Sequence, residues 1–360
     1  MPVTRTLFVV HKWTGLASAV FVLFFSVTGA VAVYYSEIDR LNAPGLALPE
    51  AVSARPVLQH ALEAAQRVAP ERAPELMWLP SRPDEAIVVR LAPGVDQFRV
   101  FVDPATARVT GTTSGEHAAN VVRQLHLRFY FFGWQGRVVT GAFGLVLLLS
   151  AITGLFIYAP FMKGVWHSGR RWWQIRDQRR QFFWSDVHKL VGVTALFFNV
   201  IIGATGAVLG LENLQRFSPS LGTALHPSPG RYEVASCDRP AALDRLVEAA
   251  EHDMSGFTAS LISFPSSRQP FYTVSGTVTG RLRAAGSSWV AVDGCARALG
   301  RFVARQAAFT ARTYVWMEPL HFGDWGGWPL KLLYCVLGMT SGVLAITGLG
   351  LWAIKRTSQL

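Results

Sequence analysis

The sequence predicts a mainly α membrane protein. Four transmembrane helices form two tandem, pseudo-symmetric halves, and each half carries a small α+β domain on one side of the bilayer. Three observations predict this. Four stretches, Trp13–Ser36, Val138–Met162, Leu190–Leu211 and Leu332–Ile354, contain no Asp, Glu, Lys or Arg, and each is at least twenty residues long. About twenty residues at 1.5 Å per residue cross the hydrocarbon core of a bilayer. Charged residues make up only 16% of the 360, against about 25% in an ordinary soluble domain. Finally, the motifs of the first half recur in order in the second.

The elements follow in order. Residues 1–36 hold the first transmembrane helix; its apolar run is too long for the core of a cleaved secretory leader, so it reads as a retained anchor. Residues 37–120 form the first outer domain. They contain an amphipathic helical pattern over 56–68, alternating runs at Ala86–Leu91 and Gln97–Val102 that read as strands, and an Asp turn at Asp103-Pro104-Ala105-Thr106. Residues 121–162 are a pre-helix and the second transmembrane helix, 163–187 a basic loop, and 188–211 the third transmembrane helix. Residues 212–315 repeat the outer pattern: a helix over 240–251, strands at Ala259–Phe264, Phe271–Val278 and Trp289–Val292, and a turn at Asp293-Gly294-Cys295-Ala296. Residues 316–360 are a pre-helix, the fourth transmembrane helix and a tail.

Basic residues orient the chain. The short 163–187 loop holds Lys163, Arg170, Arg171, Arg176, Arg179 and Arg180, the N-terminus Arg5 and Lys12, and the C-terminus Lys355 and Arg356. The positive-inside rule places these three segments in the cytoplasm and the two long segments outside, in the periplasm of a bacterial inner membrane. A net charge of +11 with a pI near 10.1 fits a nucleic-acid binder in general. Here the apolar runs make membrane lipid the expected partner and nucleic acid an excluded one.

The repeat singles out four of the nine histidines. His11-Lys12-Trp13-Thr14-Gly15 opens the first span and His188-Lys189-Leu190-Val191-Gly192 the third; in each, a Thr-Gly pair (Thr28-Gly29, Thr205-Gly206) follows with its Thr seventeen residues after the His. Leu125-His126 precedes Trp134 and Thr153-Gly154, as Leu320-His321 precedes Trp328 and Thr347-Gly348. His11 and His188 therefore belong to one face of the membrane, and His126 and His321 to the other. A lone histidine at a membrane edge is ordinarily an interfacial polar residue. Four duplicated in register, two per face, point instead to paired imidazole ligands, and two imidazoles from facing helices ligate a planar b-type haem axially. Gly15 and Gly192, one turn after the ligands, leave room for the flat macrocycle, and Gly133, Gly136, Gly323 and Gly326 are candidates for the same role at the outer site. The Thr-Gly pairs read as small-residue packing. His117 and His167 are rival ligands at the outer and inner faces, and His60, His226 and His252 read as solvated. Outer arginines, Arg123, Arg128 and Arg137 or Arg301, Arg305 and Arg312, are candidates for haem propionates or an anionic chelate.

Other chemistries are excluded or left open. Three cysteines are too few for a cysteine-held iron–sulfur cluster, and no CxxCH occurs for covalent haem. No Gly-x-Gly-x-x-Gly follows a strand, and no hydrolase triad, P-loop or zinc spacing stands out. Cys237 and Cys295 share the second outer domain, where a disulfide is an open alternative to two free thiols, while Cys335 lies in the fourth span.

The His-Lys-x-x-Gly openings, Leu-His followed by Phe132-Gly133-Trp134-Gln135-Gly136-Arg137, and the Asp-Pro-x-Thr turn resemble the PepSY-associated transmembrane family over nearly the whole chain. The second turn departs, with Asp293-Gly294-Cys295 in place of Asp-Pro-x-Thr. The resemblance implies PepSY-like periplasmic domains and two bis-histidine b haems, with His11 and His188 on the inner iron and His126 and His321 on the outer. It also implies a haem-dependent ferric-siderophore reductase that releases Fe(II) by electron transfer, without a catalytic side chain. The donor is a quinol or a separate reductase. Two alternatives stay open: a di-haem cytochrome b exchanging electrons between quinone and oxygen species or a partner protein, and a non-catalytic PepSY-domain sensor or protease-regulating anchor.

Overall fold

The computed structural model describes residues 2–51, 56–92, 98–114, 118–129, 132–167, 173–216, 229–234, 236–267, 269–278 and 288–357. In chain order the helices and strands are α1 (Pro2–Ala32), α2 (Tyr35–Asn42), α3 (Leu58–Val68), β1 (Ala73–Trp78), β2 (Ile87–Ala92), β3 (Arg99–Val102), β4 (Val109–Thr113), α4 (Ala118–Arg128), α5 (Gly133–His167), α6 (Arg180–Thr194), α7 (Leu196–Leu211), α8 (Leu243–Asp253), β5 (Phe257–Ser263), β6 (Tyr272–Val278), β7 (Ser288–Val292), β8 (Ala298–Phe302), α9 (Phe309–Val315), α10 (Met317–Phe322) and α11 (Gly327–Thr357). They divide between two compact units: residues 1–35, 121–219 and 317–360 form one, and 36–120 with 220–316 the other.

The first unit is a helical bundle. Four of its helices are long and apolar enough to cross a membrane. The stretches Val138–Met162 and Leu332–Ile354 lie wholly within α5 and α11, whereas α1 begins earlier, at Pro2, and ends at Ala32, short of Ser36, and Leu190–Leu211 is shared between α6 and α7. Around the bundle, α1 packs between α5 and α11, and α7 packs against α5. The α5–α7 seam is built on glycine. A Cβ on Gly141 would lie 2.8 Å from the Gly210 Cα, one on Gly144 2.6 Å from the Ala207 nitrogen, and one on Gly203 2.9 Å from the Leu148 nitrogen. Small residues let the two backbones approach, and van der Waals packing and interhelical hydrogen bonds drive helix association in lipid.

The third span is two helices. α6 ends at Thr194 and α7 begins at Leu196, with Ala195 between them at φ −98°, ψ 5°. The Thr194 hydroxyl donates back to the Leu190 and Val191 carbonyls, a local bond that bends helices. Below the bend, Asn199 is buried and its side-chain oxygen accepts the Ser341 hydroxyl at 2.7 Å.

The second unit is one antiparallel eight-stranded sheet in the order β4-β3-β2-β1-β5-β6-β7-β8. The two outer segments, read separately in the sequence, meet where β1 pairs with β5, Met77 opposite Ile262. α3 and α8 join the same hydrophobic core. Leu58, Leu62 and Ala65 from one helix and Leu243, Leu246 and Ala250 from the other bury with Met77, Val89, Ile262 and Val290 of the strands. Both Asp turns are hairpin corners. The Asp103 carboxylate accepts the N–H groups of Ala105 and Thr106 between β3 and β4, and that of Asp293 accepts those of Cys295 and Arg297 between β7 and β8. Cys237 and Cys295 are disulfide-bonded, with Cα atoms 5.7 Å apart, and Cys335 is free. At the far end of the sheet, Asp39 of α2 takes a bidentate bond from Arg99 of β3, at 2.7 and 2.9 Å.

Candidate functional site

All four repeated histidines lie in the helical unit and pair as the repeat predicts. The ring centres of His11 and His188 are 6.2 Å apart with planes at 81°, and those of His126 and His321 are 6.2 Å apart with planes at 40°. His11 is on α1 and His188 on α6; His126 is on α4 and His321 on α10, the short helices that precede α5 and α11.

A second set of residues orders these rings. The Nδ1 of His11 lies 3.1 Å from Thr153 Oγ1, that of His188 2.7 Å from Thr347 Oγ1, that of His126 3.1 Å from Thr28 Oγ1, and that of His321 2.9 Å from Thr205 Oγ1. His11 Nδ1 also lies 3.0 Å from the Ser150 carbonyl. The glycine after each threonine faces the same ring. A Cβ on Gly29 would come within 2.8 Å of His126 Cε1, one on Gly154 within 3.2 Å of His11, one on Gly206 within 3.1 Å of His321, and one on Gly348 within 3.7 Å of His188. The Thr-Gly pairs, read in the sequence as packing, are therefore histidine cradles. Their constant spacing was the available signal; what the sequence did not offer was the helix each one faces.

The short helices carrying His126 and His321 are pinned. Tyr334 on α11 donates its hydroxyl to the Leu320 carbonyl at 2.8 Å, next to His321. Gly323, at φ +65°, turns the chain where a Cβ would enter the Tyr334 ring. A Cβ on Gly136 would meet the Arg128 carbonyl oxygen at 2.5 Å, so the start of α5 lies directly on the end of α4. Gly136, Gly323 and Gly326 thus serve these corners, because their missing side chains are occupied by protein atoms rather than by open space. Gly15 differs: nothing lies within 4 Å of its Cβ position, and at Gly192 only Leu344 Cδ2 does, at 3.6 Å.

His126 and His321 face a cavity holding about 1320 Å³ of empty space, its open mouth included. Phe25, Gly29, Phe143, Phe198 and Gly338 supply apolar wall, and Arg123, Arg137, Glu212 and Glu318 supply charge. Arg137 stands 4.0 Å from Glu212, and the Arg123 guanidinium lies 5.4 Å from the centre of the Tyr35 ring. Arg128 instead donates back to Gln124 within its own helix. Arg301 pairs with Asp253 in the sheet unit. At the other level, Arg176 forms a bidentate pair with Asp186, at 2.7 and 2.8 Å. Its side-chain hydrogen bonds hold the Asp186 carboxyl below the usual carboxylate range.

The donor set fits two bis-imidazole metal centres. With a metal–imidazole bond of about 2 Å, two axial rings stand with centres roughly 6 Å apart, and rotation about their shared axis leaves ligation intact, so both plane angles are compatible. Imidazole is a haem ligand, the cavity at His126 and His321 is mostly apolar, and its two arginines match propionate carboxylates. Of the remaining histidines, His60 and His252 are exposed on the sheet unit, His117 and His226 lie outside the described residues, and His167 ends α5.

The sequence profile of the PepSY-associated TM region matches residues 8–355. The chain belongs to this family. A similar protein of Pseudomonas aeruginosa, the uncharacterized protein PA4219, is 29% identical over 273 residues, which cover 67% of this chain and 64% of that relative. This chain thus spans less than two thirds of the relative's length. Four apolar helices together with a match to a PepSY-associated TM region make this a membrane protein.

Proposed function

We propose that this PepSY-associated protein is a di-haem b-type oxidoreductase of a bacterial inner membrane. It takes electrons from a quinol or a separate reductase on the cytoplasmic side and delivers them to a periplasmic ferric siderophore. Each Fe(III) accepts one electron, and the resulting Fe(II) is held less tightly by hard oxygen ligands and is released. The observation that carries the reading is the coincidence of two histidine pairs, each 6.2 Å apart, with a hydrogen bond on the Nδ1 of every ring. Haem bound at both levels supplies one-electron redox chemistry. His11 and His188 hold the inner iron, and His126 and His321 the outer. Gly15 and Gly192 leave room at the inner centre, and Arg123 and Arg137 face the propionates at the outer one.

Two features support placing the centres near opposite membrane faces. His11 and Thr28, which serve different centres, are seventeen residues apart on α1, or roughly 25 Å along a helix, close to the thickness of the hydrocarbon core. The basic 163–187 loop and basic termini support a cytoplasmic inner end, which leaves 37–120 and 212–315 as PepSY-like periplasmic segments. The duplicated histidine cradles support two pseudo-symmetric halves.

The test is a dithionite-reduced spectrum of the purified protein with haem quantification. Two low-spin b haems per chain are expected. His11→Ala or His188→Ala should remove one, and His126→Ala or His321→Ala the other. Anaerobic re-oxidation of the reduced protein by a ferric siderophore separates a siderophore reductase from a cytochrome that serves oxygen or quinone. A colourless protein overturns the redox reading and favours a sensor or anchor.

A further inference from the structure

We infer that Thr28, Thr153, Thr205 and Thr347 are positioning residues: each fixes which nitrogen of one histidine carries the proton, and leaves Nε2 as the nitrogen that binds metal. The inference rests on the di-haem reading and adds to it the residues that prepare the four ligands.

Proton bookkeeping carries the argument. A threonine hydroxyl has one proton and two lone pairs, and a neutral imidazole has one N–H and one bare nitrogen. Each of the four hydroxyls donates to the carbonyl four residues earlier: Thr28 to Phe24 at 2.9 Å, Thr153 to Leu149 at 2.7 Å, Thr205 to Ile201 at 2.7 Å and Thr347 to Val343 at 2.8 Å. With its proton committed to its own helix, each Oγ1 meets the histidine as an acceptor. Nδ1 must then carry the N–H, and Nε2 is bare. At His11 the result is independent of the threonine, because the Ser150 carbonyl 3.0 Å from Nδ1 can only accept. Thr153, Thr205 and Thr347 are 3%, 3% and 4% exposed, so water cannot stand in for them.

Hydroxyl and glycine act together. The hydroxyl sets the tautomer, and the next residue, by lacking a Cβ, lets the ring lie close against the helix. A threonine followed by a larger residue would offer the bond but not the space at Gly29, where the clearance is 2.8 Å. An N–H donated to an oxygen also makes the opposite nitrogen a stronger electron donor. A more basic ligand favours the oxidised metal, so each threonine should hold its centre at a lower potential.

The experiment compares Thr→Val and Thr→Ser at each position in the full-length protein, reading haem affinity and the midpoint potential of each centre. Val at 347 should raise the potential of the inner centre alone and Val at 28 or 205 that of the outer centre alone, each with about a 10-fold or greater loss of haem affinity. Val at 153, where the Ser150 carbonyl still accepts from His11, should have a smaller effect on the inner centre. Ser should keep the wild-type values. Nitrogen-15 resonances of the histidines in haem-free wild-type protein should report Nδ1–H and bare Nε2 at all four, and this measurement needs no variant. Val variants with unchanged potential and affinity at both centres, or an Nε2–H tautomer in the haem-free protein, overturn the inference while the di-haem reading stands. Wild-type protein unable to take up haem overturns both.

Discussion

Asp244 and Gln59 cap each other's helices. The Asp244 carboxylate accepts the backbone N–H groups of Leu58 and Gln59 at 3.0 and 3.1 Å, and the Gln59 side-chain oxygen accepts the Leu243 N–H at 3.2 Å. The residues at the usual capping positions, Val57 and Ala242, have no side chain that could do this. The start of α3 therefore depends on a residue 185 positions away, and each outer segment completes the other.

Asp244→Ala should lose about 1 kcal/mol of local stability, the usual worth of a helix cap. Hydrogen exchange measured by mass spectrometry on the full chain reads it directly: the amides of Leu58 and Gln59 should exchange faster in Asp244→Ala and stay close to wild type in Asp244→Asn. Unchanged protection in the Ala variant would show that solvent caps α3 equally well.

The disulfide gives a second expectation. Alkylation of the denatured, unreduced protein should modify Cys335 alone, and reduction should expose Cys237 and Cys295. The double Ser variant should lose about 2–4 kcal/mol, seen as a lower thermal midpoint in detergent. Three alkylated cysteines before reduction would contradict the bond.

The α5–α7 seam predicts that Gly210→Val is severely destabilising. Its Cβ would overlap the Gly141 Cα and stand 2.5 Å from the Arg137 carbonyl oxygen. Overpacking of this kind costs about 1–3 kcal/mol or more. The thermal midpoint should fall, whereas Gly230→Ala, with nothing within 4 Å, should leave it in place.

Asp186→Asn should loosen the segment before His188. Arg176 donates to both Asp186 oxygens from its side chain and to one from its backbone, and hydrogen bonds to a charged group contribute about 1.5–3 kcal/mol. Faster proteolysis near Arg176 in the variant, with no change in the sheet unit, is the expected result; equal rates would mean the pair holds nothing in place.

How much of this was legible in the sequence follows from what each feature depends on. The spans were legible because charge-free runs of that length have one common solution, and the histidine pairs because duplication reveals register without a structure. Strand β1 was hidden although it is central in the sheet: Pro74 and Glu75 interrupt its pattern, and the structure absorbs them in a register shift between Pro74 and Leu76. Strands β4 and β8 are half-exposed edges, and their sequences, Val-Thr-Gly-Thr-Thr and Ala-Leu-Gly-Arg-Phe, lack an apolar alternation. The joining of the two outer segments into one sheet depends on the β1–β5 pairing, which no local pattern announces. The role of the Thr-Gly pairs depends on which helix faces which, and that is settled only by packing.

α1 carries His11 at one end and Thr28 at the other, and the α6–α7 pair carries His188 and Thr205 in the same way. Seventeen residues make about 4.7 turns, so the two side chains of α1 leave the helix roughly a quarter-circle apart. Any screw motion of α1 would disturb the His11 ring and the Thr28 anchor of the His126 ring at once. Neither histidine pair can be adjusted by sliding that helix without disturbing its counterpart, whereas α4 and α10 carry His126 and His321 of one pair alone.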